Sequence, residues 1–249
     1  MSTTIEVDGV SKRYSGMVAV DDVSFSVNPH EFVSIVGPSG CGKSTLLRIV
    51  AGLVEASAGK VTLDGRESRL SKHSDIGMVF QAPTLLPWRR ALDNILFMAE
   101  MRGEKVGKYR DRAMELIELA NLKGFEKSYP FELSGGMQQR VSICRALLLN
   151  PSLILMDEPF GALDVITRER LGFELQSIWL SSRNTVLLVT HGISEAVLLS
   201  DRIIVMGAHP GHIRDIVTVD LPRPRNTETL RDLRFVELSA AVREMIETH

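Results

Sequence analysis

The run Gly37-Pro38-Ser39-Gly40-Cys41-Gly42-Lys43-Ser44-Thr45 restricts this chain more than any other stretch. It follows an apolar pentapeptide, Phe32-Val33-Ser34-Ile35-Val36, and precedes a helical pattern with apolar Leu46, Leu47, Ile49, Val50 and Leu53. Strand, glycine loop and helix in that order are the setting in which G-x-x-x-x-G-K-[ST] cradles phosphate. The glycines let successive backbone N–H groups turn inward on phosphate oxygens, and the helix N-terminus adds partial positive charge. Lys43 is then placed to reach the β- and γ-phosphates, and the Ser44 hydroxyl to hold Mg²⁺. The plainer reading, a glycine-rich turn beside a solvated lysine, fits the flanking elements less well. By itself the loop specifies a nucleoside triphosphate and nothing narrower.

A chain of 249 residues can build one sizeable α/β core with a subdomain inserted in it. The formal net charge of −2 gives no basic field, which argues against a nucleic-acid partner. No apolar stretch approaches the roughly 20 residues that cross a bilayer, and Met1-Ser2-Thr3-Thr4 opens no signal-peptide core. The two cysteines, Cys41 and Cys144, lie in the phosphate loop and in a helical pattern, as free thiols of a reducing compartment would. A cytosolic protein is expected, one that serves any membrane from its surface.

Ile5 and Val7, then Val23, Phe25 and Val27, alternate with polar residues as half-buried antiparallel strands do. Lys60-Val61-Thr62-Leu63 runs into the turn dipeptide Asp64-Gly65, and Ile76 to Phe80 reads as a buried strand ending at Gln81. From Pro83 to Asn150 the pattern becomes helical. Ala113, Leu116, Ile117 and Ala120 share one helix face, and Ser134 N-caps a helix that stops before Pro151. The charge-rich segment from Arg102 to Arg112 reads as solvated surface. Continuous apolar runs at Leu153–Met156, Val186–Val189 and Ile203–Val205 then alternate with helices, as in a parallel sheet buried on both faces. After Leu221-Pro222-Arg223-Pro224-Arg225 a short helical tail (226–249) is expected, with no further regulatory domain. The expected fold is therefore α/β: a phosphate-loop core, an N-terminal antiparallel β subdomain and a helical subdomain (83–150), all in a single domain spanning 1–249.

Two further motifs narrow the chemistry. Leu153-Ile154-Leu155-Met156-Asp157-Glu158 is an apolar strand ending in two carboxylates. In a phosphate-loop enzyme the first acid supports Mg²⁺ and the second can accept a proton from attacking water. Leu133-Ser134-Gly135-Gly136-Met137-Gln138-Gln139-Arg140 is, locally, a serine cap with two glycines opening a helix, a second potential anion site. Standing beyond the helical insertion, it is poorly placed to complete its own chain's phosphate loop. It makes sense facing the nucleotide of another subunit.

These motifs, with Gly161-Ala162-Leu163-Asp164 and Thr190-His191, resemble the ATP-binding subunit of ATP-binding cassette transporters over essentially the whole chain. The resemblance implies a RecA-like P-loop NTPase core and two copies meeting head to tail around two ATP molecules with Mg²⁺. Each ATP would lie between Gly37–Thr45 of one copy and Ser134, Gly135 and Gly136 of the other. Tyr14 matches the aromatic that stacks on adenine, a contact worth roughly 1–3 kcal/mol in nucleic-acid binders. Gln81 matches the glutamine that touches Mg²⁺ and water, Glu158 the base, His191 the γ-phosphate contact and Asp164 the bridge between subunits. Gly192 stands where such cassettes usually carry aspartate, which leaves the local loop geometry open; Cys144 replaces a usual alanine as a small core residue. Cys41, beside Lys43 at a helix N-terminus, is expected to have a lowered thiol pKa and to be alkylated unless ATP protects it.

Cassettes also act on DNA breaks and ribosomes, but the former insert long coiled coils and the latter carry two cassettes per chain; neither pattern fits here. Ala82-Pro83-Thr84-Leu85-Leu86-Pro87-Trp88 is apolar and stiff, suited to receive a partner helix. The run Leu85 to Ile95, Pro210-Gly211-His212-Ile213 (with His212 in place of a more usual arginine) and Leu221–Arg225 resemble importers of nitrate, sulfonate and taurine. The resemblance thus implies an importer's ATPase homodimer on the cytoplasmic face of the inner membrane. Its partners would be two transmembrane permease subunits and a periplasmic or extracellular solute-binding protein, with an exporter or a non-transport ATPase as the alternative.

Overall fold

A computed structural model describes residues 2–68, 75–161 and 163–247 of the chain. Ala162 of the Gly161–Asp164 motif therefore lies outside the described residues. Strands β1 (Ile5–Tyr14), β2 (Met17–Val27), β4 (Ala58–Leu63) and β5 (Arg66–Glu67) form an antiparallel sheet in the order β2-β1-β4-β5. Ser15 and Gly16, both at positive φ, make the tight turn between β1 and β2, so Tyr14 ends a strand at a hairpin tip.

The second sheet has the order β10-β9-β3-β8-β7-β6, built from β3 (Phe32–Val36), β6 (Ile76–Val79), β7 (Leu153–Asp157), β8 (Thr185–Val189), β9 (Arg202–Gly207) and β10 (His212–Thr218). All its pairings are parallel except β10 on β9. The antiparallel edge strand was not foreseen; its residues alternate too weakly in polarity to stand out. The apolar runs work as expected, with each strand feeding two cores by its period of two. Ile154, Met156, Val186, Leu188, Ile203 and Val205 face the helices. Leu153, Leu155, Leu187, Val189, Ile204 and Met206 face the antiparallel sheet and α1 (Lys43–Val50). Helix α1 stops at Val50, so Leu53 falls outside it and is exposed.

Between β6 and β7 the chain forms α2 (Ala91–Met101), α3 (Arg110–Leu119) and α4 (Gly135–Leu147), packed on one another. The helical pattern was expected from Pro83. In fact residues 83–90 are not helical, since Pro83 and Pro87 interrupt a ladder there. Buried Asn94 ties that loop to α2: its Nδ2 donates to the carbonyls of Leu86, Arg89 and Arg90, and its Oδ1 accepts from Leu86 N at 2.7 Å. Ala113, Leu116, Ile117 and Ala120 are all buried, and most of the Arg102–Arg112 segment is exposed, as its composition predicts.

Helix α5 (Val165–Ser182) joins β7 to β8, α6 (Ile193–Leu199) joins β8 to β9, and α7 (Leu233–Glu247) closes the described chain. The Leu221–Arg225 segment fastens this end. Arg225, 2% exposed, donates to the carbonyls of Val197, Leu198, Ser200 and Leu221, and burial pulls its guanidinium pKa down to about 10. Arg223 stacks over Trp179 at 4.4 Å and pairs with Asp201 at 2.8 Å.

Candidate nucleotide site

The glycine loop joins β3 to α1, as its sequence context predicts. Gly42 N-caps α1 at φ +92°, and a Cβ there would lie 2.6 Å from the Ala19 carbonyl. Only glycine fits that turn against β2. Gly40 is also left-handed, at +79°, with open space around its missing side chain. Gly211 packs directly beneath the loop, against the Cys41 carbonyl, and its N–H donates to Ala19 O. Sequence reading missed this contact, because nothing in Pro210–Ile213 marks a neighbour so distant in the chain.

Lys43 is buried, and its Nζ donates to the Gly37 and Pro38 carbonyls at 2.8 and 2.9 Å. Ser44 Oγ donates to Asp157 Oδ1 at 2.7 Å, and Arg48 stands 3.8 Å from the other Asp157 oxygen. The hydroxyl and carboxylate assigned to Mg²⁺ are thus side by side, although they come from α1 and the end of β7. Hard oxygen donors of this kind suit Mg²⁺, which keeps its remaining positions for phosphate oxygens and water. No group of three or more His, Cys, Asp or Glu side chains that could hold a metal is gathered among the described residues.

Three neighbouring parallel strands, β6, β7 and β8, deliver Gln81, Glu158 and His191 past their C-terminal ends. Gln81 Nε2 donates to Glu158 Oε2 at 3.3 Å, and His191 Nδ1 stands 3.3 Å from the same oxygen. Glu158 is left-handed, φ +46°, a conformation that costs a non-glycine residue about 1–2 kcal/mol. Its N–H donates to Val189 O and its carbonyl accepts from Gly161 N, and these bonds hold the turn. Gly192 does not displace His191 from this group. Its N–H donates to Thr190 Oγ1 at 2.9 Å, and it N-caps α6 with ordinary φ.

Cys41 corrects an expectation. It is 1% exposed, and burial raises its thiol pKa more than nearby Lys43 lowers it. A charge at a helix N-terminus favours thiolate only where solvent reaches it, and here the loop closes over the sulfur. Cys144 is the small core residue expected, fully buried, with its pKa pushed up to about 12. Tyr14 is 44% exposed, with Lys12 Nζ over its ring at 5.0 Å from the centroid.

Ser134 N-caps α4, accepting from Met137 N at 3.3 Å. Among the described residues its hydrogen bonds stay within that helix, and both Ser134 and Gly135 are exposed. Gly136 packs on the start of α5, where a Cβ would lie 2.9 Å from Thr167 Cγ2. Asp164 N-caps α5 by accepting from Thr167 N at 3.0 Å, and the Thr167 side chain together with this backbone N–H holds its carboxyl below the usual range. Val165 and Ile166 next to it are 67% and 80% exposed. Two residues that sequence reading left without a role tie α4 to the glutamine loop. Gln139 donates to Phe80 O, and Arg145 to Pro83 O and Thr84 O. Gln139 stood inside the Leu133–Arg140 run; Arg145 carried no signal of its own.

A six-stranded, mainly parallel sheet with a glycine loop at the end of a central strand is the fold of P-loop nucleoside triphosphate hydrolases. A family model described as ABC transporter matches residues 20–161. The chain is 45% identical to an uncharacterised ABC transporter ATP-binding protein of Methanocaldococcus jannaschii, over 94% of this chain and 89% of that one. It is 43% identical to the aliphatic sulfonates import ATP-binding protein SsuB of Bacillus cereus, over 93% of each. To the taurine import ATP-binding protein TauB of Rhizobium johnstonii it is also 43% identical, over 94% of this chain and 89% of that one. Among solved structures it resembles a dimeric post-hydrolysis state of an ATP-binding cassette bound to ADP and Pi. The TM-score there is 0.77 at 35% identity, covering 88% of this chain and all of that one. The chain belongs to the ABC transporter family, as one of its ATP-binding, ATP-hydrolysing cassettes.

Proposed function

We propose that this chain is the ATPase subunit of an importer for an organic sulfonate of the taurine type. It works as a head-to-tail homodimer on the cytoplasmic face of the inner membrane, with two permease subunits and an external solute-binding protein. The names of the SsuB and TauB relatives, which match nearly end to end, support the solute class. The dimeric cassette among the solved structures supports the pairing. No helix of the described residues is long and apolar enough to cross a membrane, which fits a peripheral subunit.

The observation that carries the reading is the convergence of Gln81 and His191 on one oxygen of Glu158. Glu158 takes a proton from the attacking water, and Gln81 orients that water and reports on it to the helical subdomain, residues 83–150 of the single domain 1–249. His191 keeps Nδ1 toward Glu158, which leaves Nε2 for the γ-phosphate. The glycine loop and Lys43 bind the phosphates, Tyr14 stacks on adenine, and Ser44, Asp157 and Gln81 hold Mg²⁺. The ion, when bound, neutralises developing charge on the phosphate oxygens. Ser134, Gly135 and Gly136 complete the site of the twin subunit, with Asp164 bridging between copies.

The loop 83–90 offers a rigid socket to the permease. Trp88 is 71% exposed on a segment held by Asn94 and Arg145, so an apolar anchor is displayed at little entropic cost. The test is co-purification with the neighbouring permease in membranes, followed by ATPase assays with its binding protein. Stimulation by sulfonate-loaded binding protein is the expected result. Stimulation by no binding protein, or failure to associate with any permease, would overturn the importer reading.

A further inference from the structure

The loop that carries His191 is tied to a second element, the start of α5. Thr190 Oγ1 donates to Glu195 Oε2, while Glu195 Oε1 forms an ion pair with Arg168 Nε at 3.2 Å. Arg168 lies in the first turn of α5, where its backbone N–H donates to Asp164 O and its Nη2 to Leu163 O at 3.0 Å. One carboxylate thus spans from the residue preceding His191 to the helix turn capped by Asp164. It is largely withdrawn from solvent, with its pKa raised by burial, and so its partners matter more than they would at the surface.

Gly192 belongs to the same arrangement. A Cβ at that position would fall on the Glu195 carboxyl carbon and within 2.6 and 2.7 Å of its two oxygens. Its φ is ordinary, so a side chain there would meet no backbone strain but would push the Glu195 carboxylate from its place. The group borders a cleft of about 260 Å³ between α5, the His191 loop and α7, lined by Arg168, His191, Gly192 and Glu195 among others. Beside that cleft the Glu195 carboxylate is held by one hydrogen bond, from Thr190, and one ion pair, with Arg168.

We infer that Glu195 is a positioning residue that fastens the His191 loop to the start of α5, with Arg168 as its anchor and Gly192 as the vacancy it needs. The element aimed at the terminal phosphate and the element carrying Asp164 then shift together, and nucleotide contact is coupled to contact with the second copy. This rests on the reading of His191 as a phosphate contact.

ATPase kinetics of the full-length cassette, with rates expressed per bound nucleotide, test it. Glu195→Ala and Arg168→Ala are each expected to lower kcat about tenfold, with KM for ATP moved less than about twofold. The double variant should lose no more than the worse single one. Gly192→Ala should match Glu195→Ala and add nothing in its background, because the carboxylate it displaces is already gone. A purely structural role would lower the fraction of protein able to bind nucleotide and leave kcat per site intact. That result, or losses that add independently, would overturn the inference. Arg168 is partly exposed, so its truncation keeps the test open if Glu195→Ala fails to fold. His191→Ala serves as the control. Full activity there sinks the phosphate-contact reading itself, whereas loss there beside normal Glu195→Ala and Arg168→Ala sinks only the coupling.

Discussion

His191 Nδ1 stands 3.3 Å from Glu158 Oε2, although the two residues leave the sheet from different strands. Gln81 approaches the same oxygen from the opposite neighbour of β7, so Glu158 is held from both sides. A parallel sheet brings this about without special contrivance, since adjacent strands end at the same edge and their following loops must meet there. A carboxylate held in this way has one oxygen engaged from both sides, a geometry that suits the proposed role of general base.

Replacing that carboxylate by an amide isolates the proton-transfer step. Glu158→Gln keeps the shape of the side chain beside Gln81 and His191 but removes the charge proposed to accept a proton. The turnover rate should fall about 10²–10⁴-fold, with ATP affinity retained and an ATP-bound dimer accumulating. Single-turnover hydrolysis and size-exclusion chromatography with ATP measure both effects; near-normal hydrolysis would show that Glu158 is not the base.

The phosphate loop, the Asp157–Glu158 strand end and the Ser134 cap were legible because each is a local pattern recognisable without any contact to a distant segment. Val186 to Val189 read as a two-faced buried strand for the same reason, and its neighbours split between the two cores by simple alternation. What could not be read was contact between remote segments. Gly211 under the phosphate loop, Arg145 on the Pro83 carbonyl and Arg168 on Glu195 join stretches whose proximity only the fold creates. Cys41 was misjudged on the same account, since a charge nearby is visible in sequence and the closure of a loop over sulfur is not.

The two thiols lead to a pH prediction. Cys144 has a folded pKa near 12 against an ordinary value of 9.0, because burial penalises its thiolate. Between those values the unfolded chain loses the proton and the folded one keeps it, so this group stabilises the fold fully below pH 9 and less above it. Stability should drop by up to about 1.4 kcal/mol per pH unit in that window from this group, and Cys144→Ala should remove that part of the slope. Urea unfolding from pH 8 to 10.5 measures it. At pH 7.5, thiol reagents should leave both native cysteines and the ATPase intact.

Arg225 should be the most costly single residue to lose outside the site. Its guanidinium supplies donors to five carbonyls, those of Val197, Leu198 and Ser200 around the end of α6 and those of Val219 and Leu221 beyond β10. Arg225→Leu strands those carbonyls and is expected to cost about 3–5 kcal/mol. Arg225→Lys should not rescue it, because one ammonium cannot span the same fork. The urea midpoint of the isolated cassette is the readout, and a shift within that of surface substitutions would contradict the assignment.

A change at Trp88 should separate transport from hydrolysis. As an exposed anchor on a stiff loop, its truncation to alanine should weaken permease binding by about 2 kcal/mol or more. The basal ATPase of the isolated cassette should stay unchanged. Detergent pull-down of the permease, beside a phosphate-release assay, compares the two in one preparation.

The central claim is that each site is assembled from two copies, and mixing two inactive variants tests it most directly. Lys43→Ala disables the phosphate loop. Gly135→Glu places an acid where phosphate should dock in trans, at a position where a Cβ meets nothing in its own subunit and the fold is left undisturbed. Each variant alone should be inactive, while an equimolar mixture should recover about a quarter of wild-type ATPase, because half the dimers then carry one intact site. A mixture as inactive as its components, or a Gly135→Glu protein as active as wild type, would contradict the account.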